Sequence, residues 1–264
     1  MSTAPRPWAR SSEAASSAPV GSASRHAARL RIVAARGPDV REPPLGSRVG
    51  VPWLGHACGH CSHCEAGREN LCDAPGFTGC TRDGGFATDI LAEAAFTIPL
   101  GADLDPVATA PLLCAGLIGW RTLQMAGDAL SIGLYGFGAA AHIVAQVGRW
   151  QGRRVFALTR PGDREAQEFA RSLGAVWAGG SDEAPPERLD AALVFAPDGS
   201  LVPAALRAVR NDGWVVCGGI HMSDIPTFPY ADLWGERMIR SIANLTRADD
   251  AEFMPWPAAF PCRP

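Results

Sequence analysis

The sequence predicts an α/β fold in which a doubly wound parallel sheet follows a smaller, β-rich region. Strand and helix patterns alternate strictly after residue 105, which is typical of a parallel sheet covered on both faces. Short β-rich stretches separated by Gly and Pro occupy residues 30–99, and a loop with four cysteines interrupts them. The chain has 264 residues and 47% hydrophobic content, which is enough for one large or two ordinary domains.

The β-rich region contains three stretches that predict strands: LRIVAAR, SRVGVPW and GGFATDI. Before them, we expect residues 1–29 to form a disordered tail, because the segment is rich in Ser, Ala and Pro. Residues 1–31 contain five arginines and one acid, as organelle transit peptides do, although Pro and Ser prevent a clean amphipathic period. Residues 30–104 are predicted to form an incomplete β domain.

Residues 105–246 are predicted to form the doubly wound domain. The stretch DPVATAPLLCAGLIGWRTLQMAG predicts a long helix that is broken near Pro111 and Gly116. Two strands follow, ALSIGLYG and RRVFALT, with helical spacing of apolar residues after each, and Gly174 is expected to end the second of these helices. The remaining strand candidates are AVWAG, DAALVFA, GWVVCGG and RMIRSIA. Residues 247–264 are expected to form an atypical C-terminal tail.

A glycine turn at the end of the first strand of this domain predicts dinucleotide binding. Gly136, Gly138 and Ala141 form the G-x-G-x-x-A pattern between a strand and a helix. The first glycine allows a tight turn, the second lets the backbone approach a pyrophosphate, and the alanine keeps the helix close to the sheet. The helix N-terminus then offers N–H groups to the phosphate charge.

The end of the second strand predicts which dinucleotide binds. Sites for NAD usually carry an acid there, which accepts a hydrogen bond from the ribose 2′-hydroxyl. This chain has Thr159 and Arg160 instead, and a guanidinium favours a 2′-phosphate. We therefore expect a preference for NADP(H) over NAD(H), although Asp163 lies nearby and Arg160 could be a solvated turn residue.

Charge and hydropathy exclude several classes of protein. The net charge of −3 is spread along the chain, which argues against a nucleic acid as the main partner. No apolar run reaches the roughly 20 residues that cross a bilayer, and no secretory signal is recognisable. With eight cysteines and no export signal, reduced thiols in the cytoplasm are expected.

Four cysteines with the spacing C-x2-C-x2-C-x7-C predict a tetrahedral zinc site: Cys58, Cys61, Cys64 and Cys72. A ferredoxin cluster is disfavoured, because its fourth cysteine comes after three residues and precedes Pro. A nucleic-acid finger is disfavoured by the short spacing and by the acidic residues of the loop. The nearby imidazoles are expected to face solvent, since four thiolates complete a tetrahedron: His56, His60 and His63.

The order of these motifs resembles the zinc-containing, medium-chain alcohol dehydrogenases. The four-cysteine lobe is followed by DGGFATDI, then by Cys114 in APLLCAG, then by the turn in GLYGFGAAAH. The resemblance covers about residues 30–255 and implies a GroES-like catalytic domain with a Rossmann domain. It also implies a structural zinc on the four cysteines, and oxidation of alcohols or reduction of aldehydes with NADP or NAD.

The resemblance implies a catalytic zinc as well, for which Cys114 matches the third ligand. No cysteine precedes Cys58 and no G-H-E motif occurs; His26 lies near the expected position but lacks the Gly and the Glu. We therefore expect a copy that is truncated or frame-shifted at both ends. Two hypotheses stand: a zinc-dependent alcohol dehydrogenase, and a catalytically silent protein that binds NADP(H) and one zinc. Homo-oligomer formation stays open.

Overall fold

The computed structural model describes residues 8–12 and 29–255, which fall into two compact units. The first unit contains the described residues up to Leu117 together with residues 244–255, and the second is Ile118–Ala243. The division therefore lies later in the chain than the predicted boundary after residue 104. The physical reason is that Leu113 packs on the first sheet, where a Cβ added to Gly50 would lie 2.7 Å from its Cδ2 atom.

Within the described residues, the first unit is built from short strands: β1 (Trp8–Ser12), β2 (Arg29–Arg36), β3 (Arg48–Val51), β4 (Leu54–His56), β5 (Gly76–Phe77), β6 (Asp89–Glu93) and β7 (Ile98–Leu100). Five of them form an antiparallel sheet in the order β6-β1-β2-β3-β7, while β4 pairs with β5. The three stretches predicted as strands contribute to β2, β3 and β6, although β6 begins later than expected.

Strand β1 corrects the expectation of a disordered tail for the five residues that it contains. Its backbone pairs with β2 on one side and with β6 on the other, so that Ser11 opposes both Val33 and Ile90. Backbone pairing needs no apolar side chains, and the polar composition of this segment therefore gave no strand signal. The rest of the predicted tail, residues 1–7 and 13–28, lies outside the described residues.

Two short α-helices and two 3₁₀ helices, one of them Ala94–Phe96 between β6 and β7, complete the described part of this unit before residue 110. Helix α1 (Ser62–Glu65) and the 3₁₀ helix Glu69–Leu71 lie in the cysteine loop. Helix α2 (Pro106–Thr109) begins with Pro at its first position and is capped by Asp105, whose carboxylate accepts a hydrogen bond from the Ala108 N–H at 2.7 Å.

The long helix predicted over residues 105–127 is broken as expected. A 3₁₀ helix, Ala110–Leu113, follows α2, and α3 (Ala115–Gln124) starts after Cys114. The break covers residues 110–114 and contains Pro111, because proline cannot continue an α-helical hydrogen-bond ladder.

The second unit confirms the predicted fold class. Its strands are β8 (Ser131–Tyr135), β9 (Arg154–Thr159), β10 (Trp177–Gly180), β11 (Leu189–Val194), β12 (Val209–Cys217) and β13 (Met238–Ser241). Its helices after α3 are α4 (Ala139–Trp150), α5 (Arg164–Ser172), α6 (Leu201–Ala208) and α7 (Tyr230–Leu233). All six strands are parallel in the order β10-β9-β8-β11-β12-β13. Successive strands are added on one side of β8 as far as β10 and on the other side from β11 onward, so the strand order reverses between β8 and β11, which is the topological switch point.

The core of the second unit lies on both faces of this sheet. Every residue of β8 is buried, and so are Leu158, Leu193 and Leu206. Helix α3 approaches α4 closely because Gly119 has no side chain; an added Cβ would lie 2.7 Å from Val144 Cγ2. Gly174 has a φ of +94° directly after the C-cap of α5, as predicted.

The last described element returns to the first unit. Helix α8 (Arg247–Phe253) starts with a capping box, in which Thr246 and Asp249 exchange side-chain and backbone hydrogen bonds. Phe253 packs on Gly116, where a Cβ would meet its ring at 2.7 Å. The predicted atypical tail thus begins with a helix that ends at Phe253, and residues 256–264 lie outside the described residues. No helix in the described ranges has the length and apolar character of a bilayer span.

Candidate functional site

The glycine turn lies at the switch point of the parallel sheet, as the motif predicts. Gly136 follows β8 with a φ of +86°, a conformation that favours glycine. A Cβ on this residue would lie 2.8 Å from the Cβ of Ala196, which follows β11. Around Gly138, by contrast, a Cβ would meet no heavy atom of the described residues within 4 Å. The turn is therefore closed at its first glycine and open at its second.

The N-terminus of α4 faces this opening. Gly138 is the N-cap residue, and no side chain of the described residues caps the first turn of the helix. Ala141 is fully buried and keeps α4 against the sheet. Uncapped N–H groups and the positive end of the helix dipole form a site that suits an anion such as a pyrophosphate.

The end of β9 carries one predicted cofactor residue in solvent and one in the core. The Thr159 side chain is 2% exposed, and its hydroxyl lies 3.3 Å from the carbonyl oxygen of Gly179 and accepts a hydrogen bond from Gln167 at 3.2 Å. These bonds direct the hydroxyl toward β10 and α5. Arg160 is exposed at the strand end. Of the two residues predicted to hold a 2′-phosphate, Thr159 is buried and only Arg160 is accessible to a ligand.

Two carboxylates near the end of β9 are occupied by backbone N–H groups. Asp163 caps α5 by accepting a hydrogen bond from the Ala166 N–H at 3.0 Å. Glu183 accepts one from the Gly180 N–H at 2.6 Å, and Gly180 is paired with Thr159 across β9 and β10. Both acids are therefore already committed to local structure.

The four predicted zinc ligands converge at one point: Cys58, Cys61, Cys64 and Cys72. Their sulfur atoms all lie within 4.8 Å of one another, and the Cys58 and Cys64 sulfurs are 3.9 Å apart. All four thiols are free. A tetrahedral zinc with Zn–S bonds of about 2.3 Å separates its sulfur ligands by about 3.8 Å, so these residues fit the metal.

Local turns bring these thiols together. Cys61 is the N-cap of α1 and Cys64 lies within that helix, while Gly59 and Gly67 adopt positive φ on either side of it. The 3₁₀ helix Glu69–Leu71 then ends at Cys72. The sulfur of Cys72 accepts hydrogen bonds from the backbone N–H groups of Cys58 at 3.2 Å and Ala74 at 3.4 Å. Such donors stabilise a thiolate and orient it.

The electrostatics differ within the cluster. A hydrogen bond from the backbone N–H of Asp73, helped by one from that of Cys64, lowers the pKa of Cys61 to about 6. Removal from water raises the pKa of Cys64 to about 12. Thiolates are the ligands that metals bind, and a bound cation draws the protons from all four groups.

The nearby imidazoles do not all face solvent. His60 is exposed as expected, but the Nδ1 atom of His56 lies 2.8 Å from Glu93, which also receives a 2.8 Å hydrogen bond from Arg82. His63 is partly buried beside the cysteines. The expectation was wrong for His56 and His63, because it was based on loop composition, which reveals neither the partner of His56 on β6 nor the partial burial of His63.

An ion pair missed from the sequence lies next to the cysteine cluster. The carboxylate of Glu69 accepts hydrogen bonds from the backbone N–H of Arg247 at 3.1 Å and from its Nε atom at 3.0 Å. Burial by itself raises the pKa of Glu69, but its own backbone N–H and Arg247 outweigh that effect, so the pKa lies below its ordinary value. No local pattern relates residues so far apart in sequence.

Cys114 is an exposed free thiol between the 3₁₀ helix Ala110–Leu113 and α3. Within residues 8–12 and 29–255, it does not belong to any group of three or more potential metal ligands. His26, the residue nearest to the expected position of a second ligand, lies outside the described residues. The structure therefore places one candidate ligand of a catalytic metal, and the described ranges do not complete a three-ligand group around it.

Comparison with known proteins decides the family. Residues 31–102 match the model of the alcohol dehydrogenase GroES-like domain. The alcohol dehydrogenase of Moraxella sp. (strain TAE123) is 33% identical over 240 residues, which are 86% of this chain and 70% of that protein. The chain belongs to the medium-chain alcohol dehydrogenase family. A second member of this family, the probable alcohol dehydrogenase AdhA of Mycobacterium tuberculosis (strain CDC 1551 / Oshkosh), is 44% identical over 216 residues. The alignment covers 81% of this chain and 62% of AdhA.

Solved structures of alcohol dehydrogenases share the fold. A structure of CAD from Helicobacter pylori complexed with NADP(H) has a TM-score of 0.78 at 20% identity, covering 89% of this chain and 71% of that chain. A cobalt- and zinc-bound alcohol dehydrogenase from Pyrobaculum aerophilum has a TM-score of 0.77 at 21% identity, covering 88% and 70%. The parallel sheet and the GroES-like domain are thus those of the alcohol dehydrogenase family.

Proposed function

We propose that this chain is an oxidoreductase of the zinc-dependent alcohol dehydrogenase type, which transfers hydride between a small alcohol or aldehyde and a nicotinamide cofactor. The observation that carries the proposal is the glycine turn, which is open at Gly138 and lies at the switch point between β8 and β11. In this position the N-terminus of α4 would bind the pyrophosphate of the cofactor. Family membership supplies the reaction class.

The preferred cofactor is NADP(H). The support is Arg160, which is exposed at the end of β9, whereas Asp163 and Glu183 are bonded to backbone N–H groups. A guanidinium can donate two charged hydrogen bonds to the 2′-phosphate of NADP(H). The 2′-hydroxyl of NAD(H) carries no charge and forms a weaker interaction with the same group. Thr159 is left out of this proposal, because its hydroxyl is directed into the core.

A structural zinc is proposed for the four-cysteine cluster. Its sulfur atoms are close enough to surround one ion, and backbone N–H groups already point at Cys72. Four thiolates leave no open coordination position, so this site would stabilise the loop and would take no part in the reaction.

A catalytic metal would need Cys114 and two further protein ligands. A zinc ion at such a site acts as a Lewis acid on the substrate oxygen. Cys114 can supply one thiolate in an exposed position. The described residues do not assemble three ligands at Cys114, so at least one ligand would have to come from outside them.

A second candidate function rests on the incomplete set of ligands around Cys114. A chain with a complete cysteine cluster and a glycine turn, whose described residues do not assemble three ligands at Cys114, can bind zinc and NADP(H) without turning over substrate. This silent binding protein remains the alternative to an active dehydrogenase, and metal content separates the two.

The test combines three measurements on the full chain: zinc content, NADPH binding, and NADP⁺ reduction in the presence of a panel of alcohols. About two zincs per chain with alcohol-dependent reduction supports the dehydrogenase. About one zinc, with cofactor binding and no reduction, supports the silent binding protein. A chain that binds neither zinc nor NADPH contradicts both.

We also propose a cytoplasmic location and the absence of a nucleic-acid partner. The net charge of −3 supports the second of these, since nucleic-acid binding proteins concentrate positive charge. Salt-dependent binding to DNA or RNA would contradict it. The oligomeric state stays open, and light scattering of the purified chain measures it.

A further inference from the structure

The turn that precedes the fourth cysteine is fixed by residues from the other end of the chain. The 3₁₀ helix Glu69–Leu71 ends at Cys72, whose backbone N–H donates to the carbonyl oxygen of Glu69 at 3.1 Å. Glu69 and Asn70 are 6% and 4% exposed, although both are polar residues of a surface loop. Their burial requires partners, because an unpaired buried carboxylate is costly.

Two contacts from residues 244–247 supply these partners. The Glu69 carboxylate accepts both a backbone and a guanidinium hydrogen bond from Arg247, the first residue of α8. One position along, the Asn70 carbonyl oxygen accepts a hydrogen bond from the Asn244 side chain at 3.4 Å. Two neighbouring residues of the turn are therefore held by the same short segment.

The Arg247 side chain is itself held in place. Its guanidinium carbon lies 5.1 Å from the centre of the Phe96 ring, a distance at which a cation and an aromatic face attract each other. The capping box at Thr246 fixes the start of α8, and Phe253 anchors the end of the helix against Gly116. The segment that contacts the cysteine loop is thus rigidly positioned within the first unit.

We propose that Glu69 is a positioning residue for Cys72, and that metal binding at the four cysteines and docking of α8 through Arg247 strengthen each other. The inference rests on the proposed metal site and is independent of hydride transfer. When α8 is docked, the turn presents the Cys72 sulfur to the other three. When the metal is bound, the same turn is fixed and presents Glu69 and Asn70 to residues 244–247.

Linkage gives this proposal a quantitative form. If docking of α8 raises the metal affinity by some factor, metal binding must raise the docking equilibrium constant by the same factor. Changes to residues that hold a metal ligand in place typically lower metal affinity about 10- to 100-fold. We therefore expect docking of α8 to raise the zinc affinity, and zinc binding to raise the docking equilibrium constant, each by a factor in this range.

The experiment uses the full chain and zinc, with cobalt(II) as a spectroscopic probe. Zinc affinity is measured by competition with a chelator in the parent protein, in Glu69→Gln and in Glu65→Gln. Glu65 lies in the same loop, is exposed and provides the matched control. We expect Glu69→Gln to bind zinc at least about 10-fold more weakly than the parent protein, and Glu65→Gln to bind it as tightly as the parent. The cobalt(II) spectrum of Glu69→Gln should still be that of four thiolate ligands. Hydrogen exchange of the α8 amides is measured with and without zinc.

In the parent protein, zinc should slow hydrogen exchange of the α8 amides by about the same factor as that by which Glu69→Gln weakens zinc binding. In Glu69→Gln, zinc should have little or no effect on this exchange. The proposal is overturned if Glu69→Gln binds zinc as tightly as Glu65→Gln, or if α8 exchanges equally fast with and without zinc. A parent protein that binds no zinc contradicts the metal site itself, which distinguishes the two failures.

A second variant guards against general unfolding of Glu69→Gln. Asn244 has a φ of +54°, so Asn244→Gly keeps a favourable backbone and removes only the amide that contacts Asn70. Its zinc affinity should fall less than that of Glu69→Gln, because one neutral hydrogen bond is lost and the ion pair remains. An unchanged zinc affinity in both variants would contradict the coupling.

Discussion

Gly136 and Ala196 touch across the switch point of the parallel sheet: a Cβ on the glycine would lie 2.9 Å from the Ala196 backbone nitrogen and 2.8 Å from its Cβ. The two residues follow adjacent strands, β8 and β11, and the contact closes the sheet directly beneath the opening at Gly138. The first glycine of the motif is therefore required by the protein itself, whereas the second leaves space for a ligand.

Alanine substitutions should separate these two roles. Gly136→Ala should lower the free energy of unfolding by about 1–3 kcal/mol, because it combines a positive φ with a clash against backbone. Gly138→Ala should leave the thermal midpoint nearly unchanged and weaken NADPH binding about 10-fold or more, since the new methyl group occupies the space of the pyrophosphate. Thermal melts and fluorescence titrations of both variants check this. Equal NADPH affinity in Gly138→Ala and the parent would contradict the cofactor site.

Replacement of Arg160 should change cofactor preference. Arg160→Ala should lower the affinity for NADPH about 10- to 100-fold, the range expected for charged hydrogen bonds to a phosphate, and should leave NADH affinity unchanged. Arg41→Ala removes the same charge from an exposed position of the first unit and serves as the control. A parallel loss for both cofactors would show that Arg160 does not contact the 2′-phosphate.

Asp250 should make the first unit less stable as pH rises. The side chain is 6% exposed, and burial, with Asp249 and Glu69 nearby, raises its pKa to about 8 against the opposing effect of Arg247. The folded state therefore keeps a proton that the unfolded chain releases near pH 4. The contribution of protonated Asp250 to the free energy of unfolding is fully present below about pH 4. It falls by about 1.4 kcal/mol per pH unit as the pH rises, until the pH passes the pKa of Asp250 in the folded state.

Asp250→Asn removes this dependence and should raise the urea midpoint more at pH 8 than at pH 5. Asp103→Asn, at an exposed position of the same unit, should follow the parent protein. If parent and Asp250→Asn show the same pH profile, Asp250 does not carry a proton in the folded state.

Asp190 should have the opposite effect in the second unit. Burial alone raises its pKa, but hydrogen bonds from the Ser131 N–H, from Arg210 and from the Leu130 N–H outweigh it and lower the pKa to about 2. The charged form is thus favoured in the folded state, so the stability that it contributes is complete above about pH 4 and is lost as pH falls toward 2.

Asp190→Asn should therefore destabilise the chain at neutral pH by about 1–3 kcal/mol, with the difference vanishing toward pH 2. Urea unfolding at several pH values measures it, with Asp224→Asn as an exposed control of the same unit. A destabilisation that stays constant down to pH 2 would indicate a role in packing rather than charge.

Local sequence patterns were sufficient for the second unit. The alternation of apolar runs predicted all six strands, and Gly136 and Gly174 were placed correctly because their positive φ values follow from simple turn and cap geometry. The four cysteines were brought together as predicted, since the spacing within one loop already limits their separation.

Long-range partners were beyond what local patterns can reveal. Glu69 has the composition of a solvent-exposed loop residue, yet its burial depends on Arg247 in the last described helix. Thr159 has a suitable position for a phosphate contact, but its hydroxyl bonds to the neighbouring strand. In both cases the deciding partner belongs to an element whose position only the folded structure defines.

Among the described residues, the second unit is one continuous segment of the sequence, and the parts of the first unit precede and follow it. On the ribosome, Ile118–Ala243 emerges complete while the first unit still lacks α8. At about 5–20 residues per second, this interval lasts on the order of ten seconds. During that time the nascent chain has its four thiols but lacks Arg247, so the contact between Glu69 and Arg247 can form only after the whole second unit has been synthesised.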